Sequence, residues 1–247
     1  MAKSTRKTPA KKKAKAKKPA PAGGLIARAR KWFWRGVFGA VIAVVAVTGL
    51  YAVVSPPTTP YMFSESRRLG GVSYDFVALE EIAPVMARSA VAAEDANFCL
   101  HWGLDVNAIR DRIARGGNGG ASTISQQVVK NVYLWHGRSW ARKAAEAVWT
   151  PLTEAMWSKG RILELYLNIA EFDEGVFGVQ AAARHYFGVN ASDLTAVQAA
   201  RLAAILPSPK TRSASDPSAS VRRRAASILD GAATIRVDGR AACFSGE

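Results

Sequence analysis

Two adjacent carboxylates are the first candidates for chemistry in this sequence. Glu94 and Asp95 close the stretch AVAAED, and Phe98, His101 and Gly103 follow at short spacing. A carboxylate among apolar neighbours has its ionised form disfavoured, which raises its pKa and suits a general acid or base. Because carboxylates at helix ends are usually only solvated, this pair alone is weak support for a site.

A glycine-rich segment that runs into a predicted helix is the second candidate. Residues 115–127, RGGNGGASTISQQ, place the hydroxyls of Ser122 and Thr123 at the start of that helix, where free backbone N–H groups attract an anion. No Gly-Lys-Ser/Thr ends the segment, so it is not a nucleotide-binding P-loop. The amides of Gln126 and Gln127 are costly to bury unless they bond to something. The segment therefore predicts a binding site for an anionic ligand.

A short cationic motif is the third candidate. Arg142 and Lys143 precede Glu146 by four and three residues, which places all three on one face of a helix. A surface ion pair, contributing roughly 0.2–0.5 kcal/mol, is the simpler interpretation. The functional interpretation is a phosphate-binding site with a second carboxylate beside it.

The elements that must position these residues are predicted to be helices. Pro84 is expected to start one helix, Asp105 to cap a second and Ser122 to cap a third. The long segment SWARKAAEAVWTPLTEAMW is expected to kink or break at Pro151, and the last helix is expected to stop at Gly231. The predicted fold class is therefore mainly α.

The charge of the chain is distributed unevenly. Its 247 residues include 34 Lys+Arg and 19 Asp+Glu, for a net charge of +15. Thirteen basic residues and no acidic ones lie in residues 1–35, which leaves 21 basic and 19 acidic residues in the remainder. The excess is confined to a low-complexity tail that is predicted to be disordered, and it does not indicate a nucleic-acid-binding protein.

An uncharged segment, GVFGAVIAVVAVTGLYAVV, follows at residues 36–54 and predicts one transmembrane helix of about 28 Å. A buried core helix and a cleaved signal peptide are the alternatives. The basic flank, the Pro56-Pro57 stop and the lack of a small-x-small cleavage site favour an uncleaved anchor. Because the basic residues precede the helix, the N-terminus is expected in the cytoplasm and the remainder outside it. The predicted organisation is a disordered basic tail (1–35), the membrane helix (36–54), a linker (55–73) and a folded domain (74–247).

Two cysteines, Cys99 and Cys243, lie in the exported part of the chain, where disulfides persist. A disulfide would tie the C-terminal segment to the region around Phe98. Two separate buried thiols are the alternative, and sequence spacing does not decide between them.

Five motifs occur in an order that resembles the bacterial peptidoglycan glycosyltransferases. They are ED-x-x-F-x-x-H-x-G from Glu94, GASTI-x-QQ from Gly120, RK-x-x-E from Arg142, K-x-x-ILE-x-YLN from Lys159 and GVQAAA-x-x-YFG from Gly178. The resemblance covers roughly residues 74–210, and five motifs in this order are highly specific. The length resembles that of the monofunctional members, with no room for a transpeptidase domain.

The resemblance implies a lysozyme-like, mainly α catalytic domain with a smaller membrane-proximal lobe. It implies polymerisation of lipid II, an undecaprenyl-pyrophosphoryl disaccharide-pentapeptide, into β-1,4-linked glycan strands with release of undecaprenyl pyrophosphate. The implied location is the bacterial inner membrane, with the catalytic domain in the periplasm. The implied partners are lipid II, the growing glycan chain, the membrane and other cell wall synthesis or division proteins, with no nucleic acid.

The resemblance also assigns roles to residues. Glu94 is implied as the base that takes the proton of the acceptor 4-hydroxyl, and Glu146 as the second carboxylate. The residues implied to contact substrate are Asp95, Ser122, Thr123, Gln126, Gln127, Lys130, Arg142 and Lys143. Lys159, Glu164 and Asn168 are expected to support the scaffold. No metal held by the protein is expected, because His101 and His185 lack ligand spacing; a divalent cation (Mg²⁺ or Mn²⁺) on the substrate pyrophosphate is the cofactor that the family allows.

Two other classes of function remain as alternatives. A lysozyme-like hydrolase or lytic transglycosylase shares the fold and a catalytic glutamate, but it has no pyrophosphate to hold and therefore no need of the cationic motif. A non-catalytic, membrane-anchored scaffold protein would not need the carboxylates, the glycine-rich segment and the cationic motif together.

Overall fold

The computed structural model describes residues 23–114, 116, 122–137 and 139–245. These residues are mainly helical, as the sequence predicted. The helices are α1 (Gly23–Tyr51), α2 (Pro60–Leu69), α3 (Pro84–Glu94), α4 (Val106–Ala114), α5 (Ile124–Tyr133), α6 (Trp140–Met156), α7 (Lys159–Ile169), α8 (Val179–Phe187), α9 (Ala196–Ile205) and α10 (Ala219–Val237). Among the described residues, those from Val45 onward form one compact unit, and those before it form another.

Helix α1 contains the predicted membrane span. Its segment Ile26–Tyr51 is long and apolar enough to cross a membrane, and all residues from 26 to 43 are exposed. The helix begins at Gly23, so the prediction of a disordered tail is wrong for residues 23–35, whose Ala, Arg and Lys residues favour helix. The rest of that predicted tail, residues 1–22, lies outside the described residues.

Helix α2 lies within the segment that was predicted to be a linker, residues 55–73. The hydroxyl of Thr59 caps it by accepting a hydrogen bond from the N–H of Met62, and Pro60 occupies its first turn. Met62 is buried, at 1% exposure. The linker prediction is therefore wrong for the residues of α2, because they form a capped amphipathic helix whose Met62 is buried.

The core is built around α7, which is buried on nearly all sides. Its large side chains, Ile162, Leu163, Leu165, Tyr166 and Leu167, are at most 1% exposed. Helix α5 packs against α6 and α7, while α3, α9 and α10 pack against one another. The buried residues of α9 are mostly alanines, whose small side chains let its neighbours approach closely.

A small sheet completes the domain, with strands β1 (Ser73–Tyr74), β2 (Glu171–Asp173) and β3 (Val176–Phe177) in the order β1-β3-β2. Strand β3 is parallel to β1 and antiparallel to β2. Gly178 follows β3 with a φ of 83°, and a Cβ there would lie 2.7 Å from the carbonyl oxygen of Asn168. This position therefore requires glycine.

Two helix boundaries differ from the prediction. Helix α6 continues through Pro151, where the sequence predicted a kink or break, and α10 continues through Gly231 to Val237. Thr150 and Thr153 beside the proline are fully buried, so tertiary packing holds that turn helical. A Cβ on Gly231 would lie 3.2 Å from the Cβ of Ala92, so this glycine allows α10 to pack closely on α3.

The starts of α3 and α4 agree with the prediction. Helix α3 begins at Pro84. A carboxylate oxygen of Asp105 accepts a hydrogen bond from the N–H of Ala108 at 2.8 Å, and thus caps α4.

Cys99 and Cys243 form a disulfide, with their Cα atoms 5.7 Å apart. Cys99 lies just after α3 and Cys243 just after α10. The bond therefore joins the segments that follow two helices packed against each other, and the alternative of two separate thiols is wrong.

Candidate active site

Glu94 is the last residue of α3, and its carboxylate faces α5 and α10. Oε2 accepts a hydrogen bond from Nε2 of Gln127 at 3.1 Å, and Oε1 lies 3.5 Å from Nη2 of Arg224. The side chain is 15% exposed. Burial raises the pKa of Glu94, while the hydrogen bond from Gln127 and the charges of Arg224 and Lys130 lower it; burial prevails. The raised pKa is the condition that the sequence predicted for a general base.

Asp95 points into the protein. Its residue exposure is 7%, its Oδ1 is paired with Nε2 of His101 at 2.8 Å, and its Oδ2 accepts a hydrogen bond from the N–H of Ile124 at 3.0 Å. Both oxygens therefore have partners within the protein: Oδ2 holds the start of α5 against the end of α3, and Oδ1 holds His101. The geometry does not support the predicted contact with substrate.

Thr123 and Gln126 form a capping box at the start of α5. The Thr123 hydroxyl accepts a hydrogen bond from the N–H of Gln126 and donates one to the carbonyl of Gly103 at 2.6 Å. The Gln126 side chain accepts a hydrogen bond from the N–H of Thr123 at 3.2 Å. Both residues are buried, so the geometry gives them a structural role instead of the predicted contact with substrate. The prediction that Ser122 caps this helix is wrong, because the cap is Thr123.

The glycine-rich segment is described only in part, because residues 115 and 117–121 lie outside the described residues. Ser122 is described and is half-buried, and its hydroxyl accepts a hydrogen bond from Nζ of Lys143 at 3.4 Å. Ser122 precedes the buried capping box in sequence and contacts Lys143 of the cationic motif. Gln127 follows the capping box and contacts Glu94.

The cationic motif lies on the first turns of α6. Glu146 is 2% exposed; Nη1 of Arg142 donates to its Oε1 and Nζ of Lys143 lies 2.9 Å from its Oε2. Arg142 also donates from Nε to the carbonyl of Gly137 at 2.8 Å. The Lys143 side chain stays 45% exposed. The buried carboxylate of Glu146 thus orients two cations, Arg142 and Lys143. The interpretation as a surface ion pair is therefore wrong.

Lys130 on α5 belongs to the same group of cations. Burial lowers its pKa most, and the charges of Arg142 and Lys143 lower it further. The pKa of Lys143 is likewise lowered by burial and by the charge of Arg142. Neighbouring cations that destabilise one another create a local positive field, which a multiply charged anion would relieve.

A cavity of about 180 Å³ lies beside α5, and its walls include two of the predicted substrate-binding residues. Gln127 and Lys130 line it together with Tyr61, His136 and Tyr166. A second cavity, of about 590 Å³, is lined by none of the predicted catalytic or substrate-binding residues; Leu79, Arg161 and Phe244 belong to its walls. The smaller cavity therefore fits the candidate chemistry better, despite its size.

The residues of the fourth motif hold elements together. Nζ of Lys159 donates to the carbonyl of His101 at 2.8 Å and pairs with Glu154 at 2.9 Å. Asn168 is fully buried and bonds through its side chain to both backbone groups of Val77. Glu164 pairs with Arg161 on its own helix. These contacts fit the scaffold role that the sequence predicted.

Three acid and histidine side chains approach one another closely enough to suggest a metal site. One ligand atom from each of Asp95, His101 and Asp105 lies within 4.8 Å of the others. However, both oxygens of Asp95 are already bonded, and those of Asp105 accept hydrogen bonds from Ala108 and Asn97. The group does not fit a divalent cation, whose oxygen ligands must be free to coordinate.

Two residues of the site were missed in the sequence. Arg224 is the last of three consecutive arginines on α10, a pattern typical of a solvated helix face. Glu154 is buried and bonded by Ser125 and Lys159. Glu154 lies on the same buried face of α6 as Glu146, Thr150 and Thr153. No apolar periodicity in the sequence marks this polar face as buried.

Comparison with known proteins identifies similar sequences over most of the chain. A family model described as Transglycosylase matches residues 64–233. The Biosynthetic peptidoglycan transglycosylase of Jannaschia sp. (strain CCS1) is 58% identical over 237 residues, which are 96% of this chain and 99% of that protein. The protein of the same name from Rhodospirillum centenum is 45% identical over 211 residues (83% and 91%). That from Caulobacter vibrioides is 43% identical over 213 residues (85% and 91%).

Proposed function

Because the chain belongs to the peptidoglycan transglycosylase family, and so is a glycosyltransferase of cell wall biosynthesis with a lysozyme-like domain, we propose that its substrate is lipid II. In this proposal it joins the disaccharides into β-1,4-linked strands with inversion at the anomeric carbon. Undecaprenyl pyrophosphate is the leaving group.

The observation that carries the proposal is the pairing of a buried carboxylate with a neighbouring group of cations. Glu94, whose pKa is raised, would accept the proton of the acceptor 4-hydroxyl as that oxygen attacks the donor sugar. Lys130, Arg142 and Lys143 would stabilise the negative charge that develops on the departing pyrophosphate. Each group then acts where charge changes during the reaction.

We assign Glu146 a positioning role. Its two oxygens are occupied by Arg142 and Lys143, so it would aim these cations at the leaving group instead of exchanging a proton with the sugar. Ser122 and Gln127 are the remaining polar side chains that we propose to contact substrate. The Lys143 contact of Ser122 and the Glu94 contact of Gln127 support these assignments.

The cationic group also argues against the other classes of function. A glycan-cutting enzyme needs a catalytic carboxylate, but its reaction releases no pyrophosphate that three cations would hold. A scaffold protein gains no stability from cations that lower one another's pKa. A divalent cation on the substrate pyrophosphate stays a prediction.

The proposed location is the inner membrane, with α1 as a single-pass anchor, its N-terminus in the cytoplasm and the domain in the periplasm. The apolar helix is compatible with such an anchor. The disulfide between Cys99 and Cys243 supports an oxidising compartment for the domain. Association with other cell wall synthesis or division proteins stays a prediction.

The test incubates the purified full-length protein with lipid II and separates the products by size. Glu94→Gln keeps the shape of the side chain and removes the base, so we expect polymer formation to fall by about 100-fold or more. Glu80→Gln, the same change at an exposed carboxylate, should leave the rate unchanged. No polymer from the unaltered protein would overturn the substrate, and undiminished polymer from Glu94→Gln would overturn the base.

A further inference from the structure

Arg224 reaches the candidate base from a helix that contains none of the five motifs. Its Nη2 lies 3.5 Å from Oε1 of Glu94 and donates a hydrogen bond to the carbonyl of Ala93 at 3.3 Å. That carbonyl belongs to the last turn of α3, where carbonyls lack partners within the helix and carry partial negative charge. One guanidinium group thus contacts both the helix end and the carboxylate that extends from it.

Three consecutive arginines, residues 222–224, lie on α10, and the packing of this helix brings only Arg224 of the three to α3. Val221, Ala225 and Ile228 form the buried face of α10, and Arg224 lies beside that face with its side chain 38% exposed. Arg223 is exposed, and Arg222 donates to the carbonyl of Pro217 within its own segment. The Nε of Arg224 is buried and has no hydrogen-bond partner among the described residues, so the contacts of this guanidinium with α3 are made through Nη2.

Of the other groups that act on the Glu94 carboxylate, Lys130 is the one further cation among the described residues. Gln127 on α5 is neutral, and the pKa of Lys130 on the same helix is lowered by burial and by its cationic neighbours. Tyr166 on α7 is neutral, since burial raises its pKa well above the usual range. The charge of Asp95 acts in the opposite direction and raises the pKa of Glu94. Arginine stays charged at every pH that proteins tolerate.

We propose that Arg224 is a positioning residue of the transferase reaction: it fixes the Glu94 carboxylate at the end of α3 and provides the permanent positive charge that balances it. This inference rests on the proposed role of Glu94 as the base. It matters most when substrate is bound, because the pyrophosphate then occupies the field of Lys130, Arg142 and Lys143. Arg224 would then be the cation that still balances the charge of Glu94.

The test is the pH dependence of lipid II polymerisation by the full-length protein. Removing the positive charge raises the pKa of Glu94, so the base becomes protonated at a higher pH and the acidic limb of the rate profile moves upward. For Arg224→Gln and Arg224→Met we expect a shift of about half a pH unit or more. Arg224→Lys keeps the charge and should restore most of the limb, although its single ammonium cannot keep both contacts.

Arg223→Gln is the matched control, because it removes the same charge from the same helix at an exposed position. Its acidic limb should coincide with that of the unaltered protein. The Met variant keeps the aliphatic stem of Arg224 and serves as the second variant where Arg224→Gln fails to fold. An acidic limb that stays in place in the folded, charge-free variant overturns the inference, whatever happens to the plateau rate.

This result is separable from a failure of the proposed function. An inactive unaltered protein, or a fully active Glu94→Gln variant, would remove the base and with it the premise. An active protein that loses its activity in Glu94→Gln, but whose limb is unmoved by loss of the Arg224 charge, would overturn only the role of Arg224.

Discussion

Gly103 shows how narrowly a single residue beside the candidate site is constrained. Its φ is 77°, and a Cβ there would lie 2.6 Å from Cγ2 of Thr150 and 3.0 Å from Cγ of Glu154. Thr150 is fully buried and cannot move away. The carbonyl of Gly103 also accepts the hydrogen bond from Thr123, which caps α5.

Gly103→Ala should therefore destabilise the protein for two reasons, backbone strain and steric overlap. Gly70→Ala is the matched control, because Gly70 has a φ of 78° and nothing within 4 Å of its Cβ position. We expect Gly70→Ala to lower the free energy of unfolding by about 1 kcal/mol and Gly103→Ala by roughly 1–3 kcal/mol more. Thermal unfolding in detergent measures both; equal losses in the two variants would contradict the predicted overlap.

At this scale the sequence predicted which residues assemble, but it did not predict which of them are open to a ligand. Glu94 contacts Gln127, and the charge of Lys130 acts on Glu94. The order of the motifs predicted this grouping, but it did not predict Arg224. Asp95 and Thr123 belong to the same two motifs, yet their side chains bond to the backbone. Asp95 accepts a hydrogen bond from the N–H of Ile124, and Thr123 donates one to the carbonyl of Gly103. A polar side chain that hydrogen-bonds to the backbone and one that contacts a substrate can occupy the same kind of motif position. Only the hydrogen bonds seen in the structure distinguish the two.

At the scale of elements, packing decides where the sequence signals conflict with it. Pro151 and Gly231 have the local properties of helix breakers, but both lie inside continuous helices. The starts of α3 and α4 were predictable because a proline and an aspartate act on the backbone next to them. A helix end that depends on a neighbouring helix is set by residues far away in sequence.

The disulfide is the element-scale feature with the most direct test. It joins the segments that follow α3 and α10, 144 residues apart, and so it restricts the unfolded chain strongly. Replacing both Cys99 and Cys243 with alanine should lower the free energy of unfolding by about 2–4 kcal/mol.

A reductant provides the control for this prediction. It should lower the melting temperature of the unaltered protein toward that of the double variant and leave the double variant unchanged. A melting temperature that the reductant does not affect in the unaltered protein would show that the bond contributes nothing to stability.

At the scale of the whole molecule, the basic residues and the exposed apolar side chains are concentrated in different parts of the chain. The basic excess lies before the membrane helix, and the remaining chain is nearly neutral. Several large apolar side chains are nevertheless exposed between residues 100 and 148, and Trp140 among them lines one cavity with Arg142 and Lys143: Leu100, Trp102, Val106, Ile113, Trp135, Trp140 and Val148. Exposed apolar groups beside cations are typical of a surface that meets a membrane, where the pyrophosphate of a lipid-linked sugar would lie.

Trp140 gives this surface a direct test, because its residue is 92% exposed and precedes Arg142 and Lys143 on the first turn of α6. In vesicles that contain brominated lipids, a tryptophan in contact with the bilayer loses its fluorescence, as expected for an indole at the membrane interface. Trp140→Phe in the full-length protein should therefore remove emission that brominated lipids quench. Trp34→Phe is the matched control: Trp34 lies in the candidate membrane span and is 62% exposed, so its loss should remove emission that the lipids quench. If Trp140→Phe removes only unquenched emission, the surface around the cationic motif does not touch the membrane, and the lipid-linked substrate must reach the cations by leaving the bilayer.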